Sequence, residues 1–302
     1  MNEKIPEFLI KKLEIQYGKD ITDKILKGYE CDRKTTIRVN SIKSNIDEVC
    51  NALDEANIKY SKVDWYENAL ILENAVENKI SEMNIYSEGK IYLQSLSSMI
   101  PAIILNPKEN ENILDMAAAP GGKTTQMYSI SNGKAHITAC EKNKIRSERL
   151  KYNIEKQGAT RIGILAQDAR KLDDFFSFDK ILLDAPCSGS GTLETQNAKV
   201  MQSFSEELIN RSVKVQKELL DKALKLIKVG NELIYSTCSI LEEENEGYLK
   251  ELLKKGTVEV VPISLSDFEG IPILPVQLEG TICVCPTELY EGFFVAKLKK
   301  LR

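Results

Sequence analysis

The chain has one histidine in 302 residues, His136. That scarcity excludes a histidine-rich metal site and any mechanism that shares acid–base work among several imidazoles. No C-x-x-C pair occurs, and the seven cysteines (31, 50, 140, 187, 238, 283 and 285) keep no regular spacing. A disulfide framework and a zinc site are therefore not indicated, no metal is expected, and the thiols read as reduced in a cytoplasmic protein. No apolar run approaches the roughly 18 residues of a membrane span, and MNEKIPEFLI lacks the profile of a signal peptide. Charge of one sign is missing too: 41 basic and 45 acidic residues give −4, so no global field announces nucleic acid. The expectation is a soluble, monomeric protein with no membrane partner; 42% hydrophobic and 28% charged residues are ordinary for one.

What is present is organised around NILDMAAAPGGKTTQM, residues 112–127. A short apolar run ends at Asp115, a loop of small residues follows, and a helix begins near Lys123. Backbone N–H groups at such a strand–turn–helix junction favour a polar ligand, and Asp115 stands at the strand's carboxyl end, where open α/β sheets bind ligands. The dinucleotide pattern G-x-G-x-x-G is absent. Gly122-Lys123-Thr124 match the end of a Walker loop, but the first glycine would fall on Ala117, and Pro120 removes an N–H from the cradle. A nucleoside without phosphates fits better, with Asp115 taking an ammonium or a ribose hydroxyl.

Residues 5–28 carry apolar positions at helical spacing, with a break at Gly18. A strand is expected at 35–40, a helix at 45–58 and two short strands around Glu67-Asn68 within 63–74. Together these read as a small α+β module, residues 1–88. Residues 89–105 supply a strand and then a helix bearing Gln94, Ser97 and Ser98. From 112 onward strands (112–117, 135–141, 163–168, 179–185, 232–238) alternate with helices (near 122–130, 144–157, 205–228, 243–255). That alternation predicts a parallel, doubly wound, Rossmann-like α/β sheet in a second domain, residues 89–302. VEVVPI, TICVCP and FFVAKLKK follow without a helix between the last two, which read as an antiparallel hairpin closing one edge. His136, in AHITAC, reads as a packed strand residue.

Four acids fall at or beside successive strand ends: Asp115, Glu141, Asp168 and Asp184. In a parallel sheet these ends share one rim. Glu141 is placed like the acid that binds ribose hydroxyls after a second strand, and Asp168 is suited to an adenine amino group. This spread suits an adenosine-type cofactor. Cys187 in LLDAPCSGSG and Cys238 in IYSTCS lie at the same rim. Free cysteines are commonly buried packing residues, but both of these sit in turn-forming loops, where function concentrates. Local basic charge is present in RKTTIRVNSIK (33–43) and between Lys142 and Arg161. Arg33, Lys34, Arg38, Arg146 and Arg149 are candidate RNA contacts, although a basic helix face is most often only a solvated one.

ILDMAAAPGGKT, the acid of ACEKNKIR, the Asp-Ala of AQDAR, LLDAPCSGSG and IYSTCS occur in the order of the Sun-family RNA (cytosine-5) methyltransferases. YLQSLSSM, RVNSIK and GFFVAKL extend the resemblance over about residues 33–300. The resemblance implies S-adenosylmethionine as cofactor, held by Asp115, Ala117, Ala118, Ala119, Pro120, Gly121, Gly122, Lys123, Glu141, Asp168 and Asp184. Ala117 stands where the family usually has cysteine, and Cys283 where arginine is common. Carbon 5 of cytosine is a poor nucleophile until a thiolate adds to carbon 6. The chemistry does not order the two thiols, since DNA cytosine-5 methyltransferases attack from a Pro-Cys context like that of Cys187. By the resemblance Cys238 is the nucleophile and Cys187 promotes release. Asp184 would bind or protonate the pyrimidine edge, and Lys123 would favour the Cys238 thiolate. The compact form is similar to short archaeal-type members acting on tRNA, with ribosomal RNA the near alternative. A P-loop nucleotidase and a non-catalytic RNA-binding or assembly factor are the readings from other classes.

Overall fold

The computed structural model describes residues 5–302. The N-terminal part comprises α1 (Glu7–Tyr17), α2 (Lys19–Glu30), β1 (Thr36–Val39), α3 (Ile46–Glu55), β2 (Tyr60–Lys62), β3 (Ala69–Leu72), α4 (Glu77–Ser81), α5 (Asn84–Ser87) and β4 (Ile91–Leu93). The remainder comprises α6 (Leu96–Leu105), β5 (Asn112–Asp115), α7 (Gly122–Ile130), β6 (His136–Cys140), α8 (Lys144–Lys156), β7 (Ile162–Leu165), β8 (Phe178–Asp184), α9 (Ala198–Ser203), α10 (Glu206–Leu226) and β9 (Ile227–Thr237). It ends with α11 (Glu246–Lys254), β10 (Val258–Val260), β11 (Ile273–Leu274), β12 (Ile282–Val284) and β13 (Phe293–Lys300). Among the described residues no helix is long and apolar enough to cross a membrane.

The large sheet has the order β11-β12-β13-β9-β8-β5-β6-β7, with β10 paired to β13. Strands β5 to β9 run parallel, and β13 is antiparallel to β9. The chain runs outward from β5 through β6 to β7, then returns to the other side of β5 with β8 and β9. The reversal lies between β5 and β8, where a doubly wound sheet opens a crevice at its strand ends. The near-continuous apolar runs of β5 and β8 arise because both faces are covered. Leu114, Ile181, Leu183, Leu233 and Tyr235 point into one layer with α10 and α11. Ile113, Leu182 and Ile234 point into the other, with α6, α7 and α8. Asn45, Asn143 and Ser205 cap α3, α8 and α10 by accepting from backbone N–H groups three residues on.

Several expectations need adjustment. The N-terminal sheet has the order β2-β3-β1-β4, so the strand at Ile91–Leu93 belongs to it and a division at residue 88 falls inside this sheet. Its first hairpin strand lies at Tyr60–Lys62 rather than after Val63. Helices α1 and α2 do not join its core, which is built from residues such as Ile37, Val49, Leu53 and Leu72. Leu9, Leu13, Ile25 and Tyr29 pack instead against the large sheet. The C-terminal pair β12–β13 is antiparallel as expected, but the short strand β11 lies beyond it at the edge. His136 is exposed at the start of β6 rather than packed, because the strand's buried positions begin one residue later.

Candidate active site

β5 delivers Asp115 to the rim, where it is 1% exposed. Its Oδ2 accepts from Thr124 Oγ1 at 2.7 Å, while Oδ1 is buried without a hydrogen-bond partner. Burial pushes its pKa up to about 6. An orphaned buried acceptor is costly unless a ligand donor meets it. The loop 117–121 then turns into α7 through Gly121, whose φ of 110° lies in the region that favours glycine. A Cβ there would come within 3.0 Å of Leu150 in α8. The loop is braced from α8: Arg146 donates to the Ala119 carbonyl at 2.7 Å and Asn153 to the Pro120 carbonyl at 2.7 Å.

Glu141 is buried at the end of β6 and accepts from the Asn143 backbone N–H at 2.8 Å. Asp168, after β7, is gripped by the Arg170 guanidinium, which holds its carboxyl below the usual range. A cavity of about 230 Å³ is lined by Ala117, Ala119, Glu141, Asp168, Asp184 and Cys187, among others. Its donor and acceptor set, with Glu141 and Asp168 as carboxylates, fits an adenosine-type group.

The two thiols converge from adjacent parallel strands. β8 and β9 pair in register from Lys180↔Glu232 to Asp184↔Ser236, so the loops that follow leave side by side. Cys187 Sγ and Cys238 Sγ are 2.8 Å apart and both thiols are free, well beyond the ~2.05 Å of a disulfide bond. The neighbouring thiol and burial together raise the Cys187 pKa well above its ordinary value. The loops are further joined where Gly191 N–H donates to the Cys238 carbonyl at 3.0 Å. Gly191 also lies so close to Gly292 that a Cβ on it would be 2.0 Å from the Gly292 carbonyl oxygen.

Lys123, in the first turn of α7, donates to Asp184 Oδ2 at 2.7 Å and to Ser98 Oγ at 2.8 Å. Burial opposes its charge, but the Asp184 carboxylate outweighs this and leaves its pKa raised. Ser236 Oγ donates to the other oxygen of Asp184 at 2.8 Å. Lys123 is therefore committed to a carboxylate, not free as the phosphate-binding lysine of a nucleotidase would be. A second cavity, about 940 Å³, opens between the two sheets. Its lining includes Arg33, Gln94, Ser98, Lys123, Glu194 and Glu291. The two cavities share Ala117, Ala119, Asp184 and Cys238.

The basic candidates separate. Arg38 is fully buried, which leaves it no surface for RNA and corrects that expectation. β1 is covered on both faces, and Arg38 donates to Gln94 Oε1 at 2.8 Å and to Thr125 Oγ1 at 3.0 Å. Arg33 pairs with Glu194 at 2.9 Å and Lys34 with Glu73 at 2.6 Å, both along the larger cavity. Arg146 faces the smaller cavity and lies 3.5 Å from Glu141. Arg149 is exposed on α8. Cys283 is buried against Tyr17 of α1, away from both cavities.

Sequence reasoning missed Ser236, Tyr17, Tyr29 and Glu244. Ser236 lies two residues before Cys238, and the two-residue period of a strand could have placed it on the same face. Tyr29 donates to the Ser190 carbonyl at 2.6 Å and Tyr17 to the Ile240 carbonyl at 2.5 Å, so α1 and α2 buttress both cysteine loops. No local pattern signals contacts made across more than 150 residues of chain.

Comparison with known proteins places these features in context. The family model described as 16S rRNA methyltransferase RsmB/F matches residues 102–299, and an RsmF/B-like ferredoxin-like domain model matches residues 5–79. The tRNA (cytosine(72)-C(5))-methyltransferase of Pyrococcus horikoshii is 37% identical over 225 residues, 74% of this chain and 56% of that protein. Ribosomal RNA small subunit methyltransferase F of Aeromonas salmonicida is 33% identical over 276 residues, 88% of this chain and 58% of that one. The chain thus spans less than two thirds of the length of these curated relatives. The crystal structure of NSun6 from Pyrococcus horikoshii with SFG superposes with a TM-score of 0.86 at 25% identity, covering 98% of each chain.

Proposed function

The chain belongs to the RsmB/F methyltransferase family, and from that membership we propose that it methylates carbon 5 of cytosine in RNA, with Cys238 as covalent nucleophile. S-adenosylmethionine is the proposed cofactor, and it supplies the electrophilic methyl. The observation that carries the reading is the pair of thiols 2.8 Å apart at the place where the two cavities meet. The smaller cavity fits the adenosine end, with Glu141 and Asp168 as acceptors, while Asp115 reaches the site from the larger cavity. The larger one fits a nucleotide drawn out of its strand.

In this mechanism the Cys238 sulfur bonds to carbon 6 and the ring's electron density moves to carbon 5, the position that accepts the methyl. Asp184 faces the pyrimidine edge. Lys123 and Ser236 fix that carboxylate, and the Lys123 ammonium stabilises negative charge beside it. After methylation solvent water takes the carbon 5 proton, the C–H electron pair restores the carbon 5–carbon 6 double bond, and the carbon 6–sulfur bond breaks, returning its electron pair to Cys238. Cys187, whose Sγ lies 2.8 Å from that of Cys238, promotes this release by donating its proton to the departing sulfur.

The test is transfer of labelled methyl from S-adenosylmethionine to total cellular RNA. Wild-type protein should place label in 5-methylcytosine, Cys238→Ala should place none, and Cys187→Ala should accumulate a protein–RNA adduct. Label on another base would sink the substrate assignment, and RNA binding without label would favour an assembly factor. Relatives act by name on tRNA and on ribosomal RNA. The 37% identity to the tRNA (cytosine(72)-C(5))-methyltransferase of Pyrococcus horikoshii supports tRNA, and size separation of the labelled RNA decides between the two.

A further inference from the structure

One buried carboxylate touches the residue that follows each thiol. Glu244, in the turn between β9 and α11, is 1% exposed. Its Oε1 accepts from the Ser188 backbone N–H at 2.7 Å and from Gln216 Nε2 at 3.3 Å. Its Oε2 accepts from Ser188 Oγ at 2.5 Å and from Ser239 Oγ at 2.6 Å. Ser188 follows Cys187 and Ser239 follows Cys238. We propose that Glu244 is a positioning residue that holds the two cysteine loops at one spacing, so that both thiols can act on a single cytosine.

The chemistry favours this role over ordinary packing. No ion pair with Glu244 is found among the described residues; burial raises its pKa, and the four donors that meet its two oxygens oppose that shift. Gln216 also donates to the Pro186 carbonyl at 3.1 Å, fixing the Cys187 loop from its other side. The Glu244 carbonyl accepts from Tyr235 at 2.5 Å, and the next residue, Asn245, accepts from Thr237 at 2.5 Å and donates to the Ser239 carbonyl at 3.0 Å. The turn is thus anchored to β9 independently of the carboxylate. That leaves the carboxylate free to bridge across to the β8 loop.

The inference rests on the proposed reaction for its purpose, but its geometry can be tested without RNA. Wild-type protein treated with dibromobimane, which fluoresces on bridging two thiols, should yield a Cys187–Cys238 bridge identified by peptide mass mapping. Glu244→Gln places an amide where four donors need an acceptor. It should slow bridging about tenfold while the unfolding midpoint and affinity for S-adenosylmethionine hold. Its kcat for methyl transfer should fall up to about 100-fold with KM unchanged, the scale of a misplacement near 1 Å. Bridging at the wild-type rate in folded Glu244→Gln would overturn the proposal. Should that variant fail to fold, Ser188→Ala and Ser239→Ala each remove one anchor, and unchanged bridging in both would overturn it equally. Glu244-dependent bridging in a protein that methylates no RNA would sink the reaction and leave the positioning role intact.

Discussion

The Asp115 carboxylate is buried, with one oxygen bonded to Thr124 and the other unpartnered, and burial raises its pKa from 3.8 to about 6. The folded chain therefore binds this proton more tightly than the unfolded chain. Folding stability falls as pH rises from about 4 to about 6 and stays lower above that, by on the order of 3 kcal/mol at 1.36 kcal/mol per pKa unit. Asp115→Asn removes this slope. Its stability relative to wild type should rise between pH 4 and pH 7.5 in urea titrations, and its affinity for S-adenosylmethionine should fall. A stability difference that is the same at both pH values would refute the buried-charge account. Asp115, Cys187, Cys238 and Lys123 were legible because each sits in a short stretch whose turn chemistry fixes its place. Arg38 and Glu244 were not legible: charge states what a side chain carries, and not whether it turns into the protein or out of it.

At the level of elements, the parallel strands could be read because burial on both faces leaves continuous apolar runs bounded by small residues. β2 was displaced because a three-residue strand, half-buried to exposed, leaves no run to find. β1 misled for a related reason, since two basic residues beside a strand imitate a nucleic-acid edge. The strand instead lies between β3 and β4, and Arg38 reaches α7 through Thr125 and the Gly122 carbonyl, tying the small sheet to the helix that follows the 117–121 loop. Arg38→Ala removes the buried donors to Gln94 Oε1 and Thr125 Oγ1 and opens a cavity, so it should lower the unfolding free energy by about 2–4 kcal/mol. Arg149→Ala, on the exposed face of α8, should stay within about 0.5 kcal/mol. Denaturant midpoints of the two variants check this. An Arg38→Ala variant of wild-type stability that bound RNA more weakly would return Arg38 to the RNA surface.

Across the whole molecule, α1 and α2 precede the small sheet in sequence yet pack on the large one, where Tyr17 and Tyr29 steady both cysteine loops. The domain division read from order along the chain could not register this, because long-range packing leaves no periodic trace in the segment that makes it. The same separation of scales governs charge. A net charge of −4 repels RNA at long range, so attraction must come from a local surface. α8 braces the 117–121 loop through Arg146 and Asn153 and also exposes Lys144, Arg149 and Lys151. If the strand crosses this face, Arg149 and Lys151 each release counterions on binding. The slope of log affinity against log salt should then flatten by about 1.4 in the Arg149→Ala/Lys151→Ala double variant, at about 0.7 per phosphate contact on a single strand. Affinity for S-adenosylmethionine should be unchanged, since neither side chain lines the smaller cavity. A double variant with the wild-type salt slope would place the RNA path on another face of the cleft.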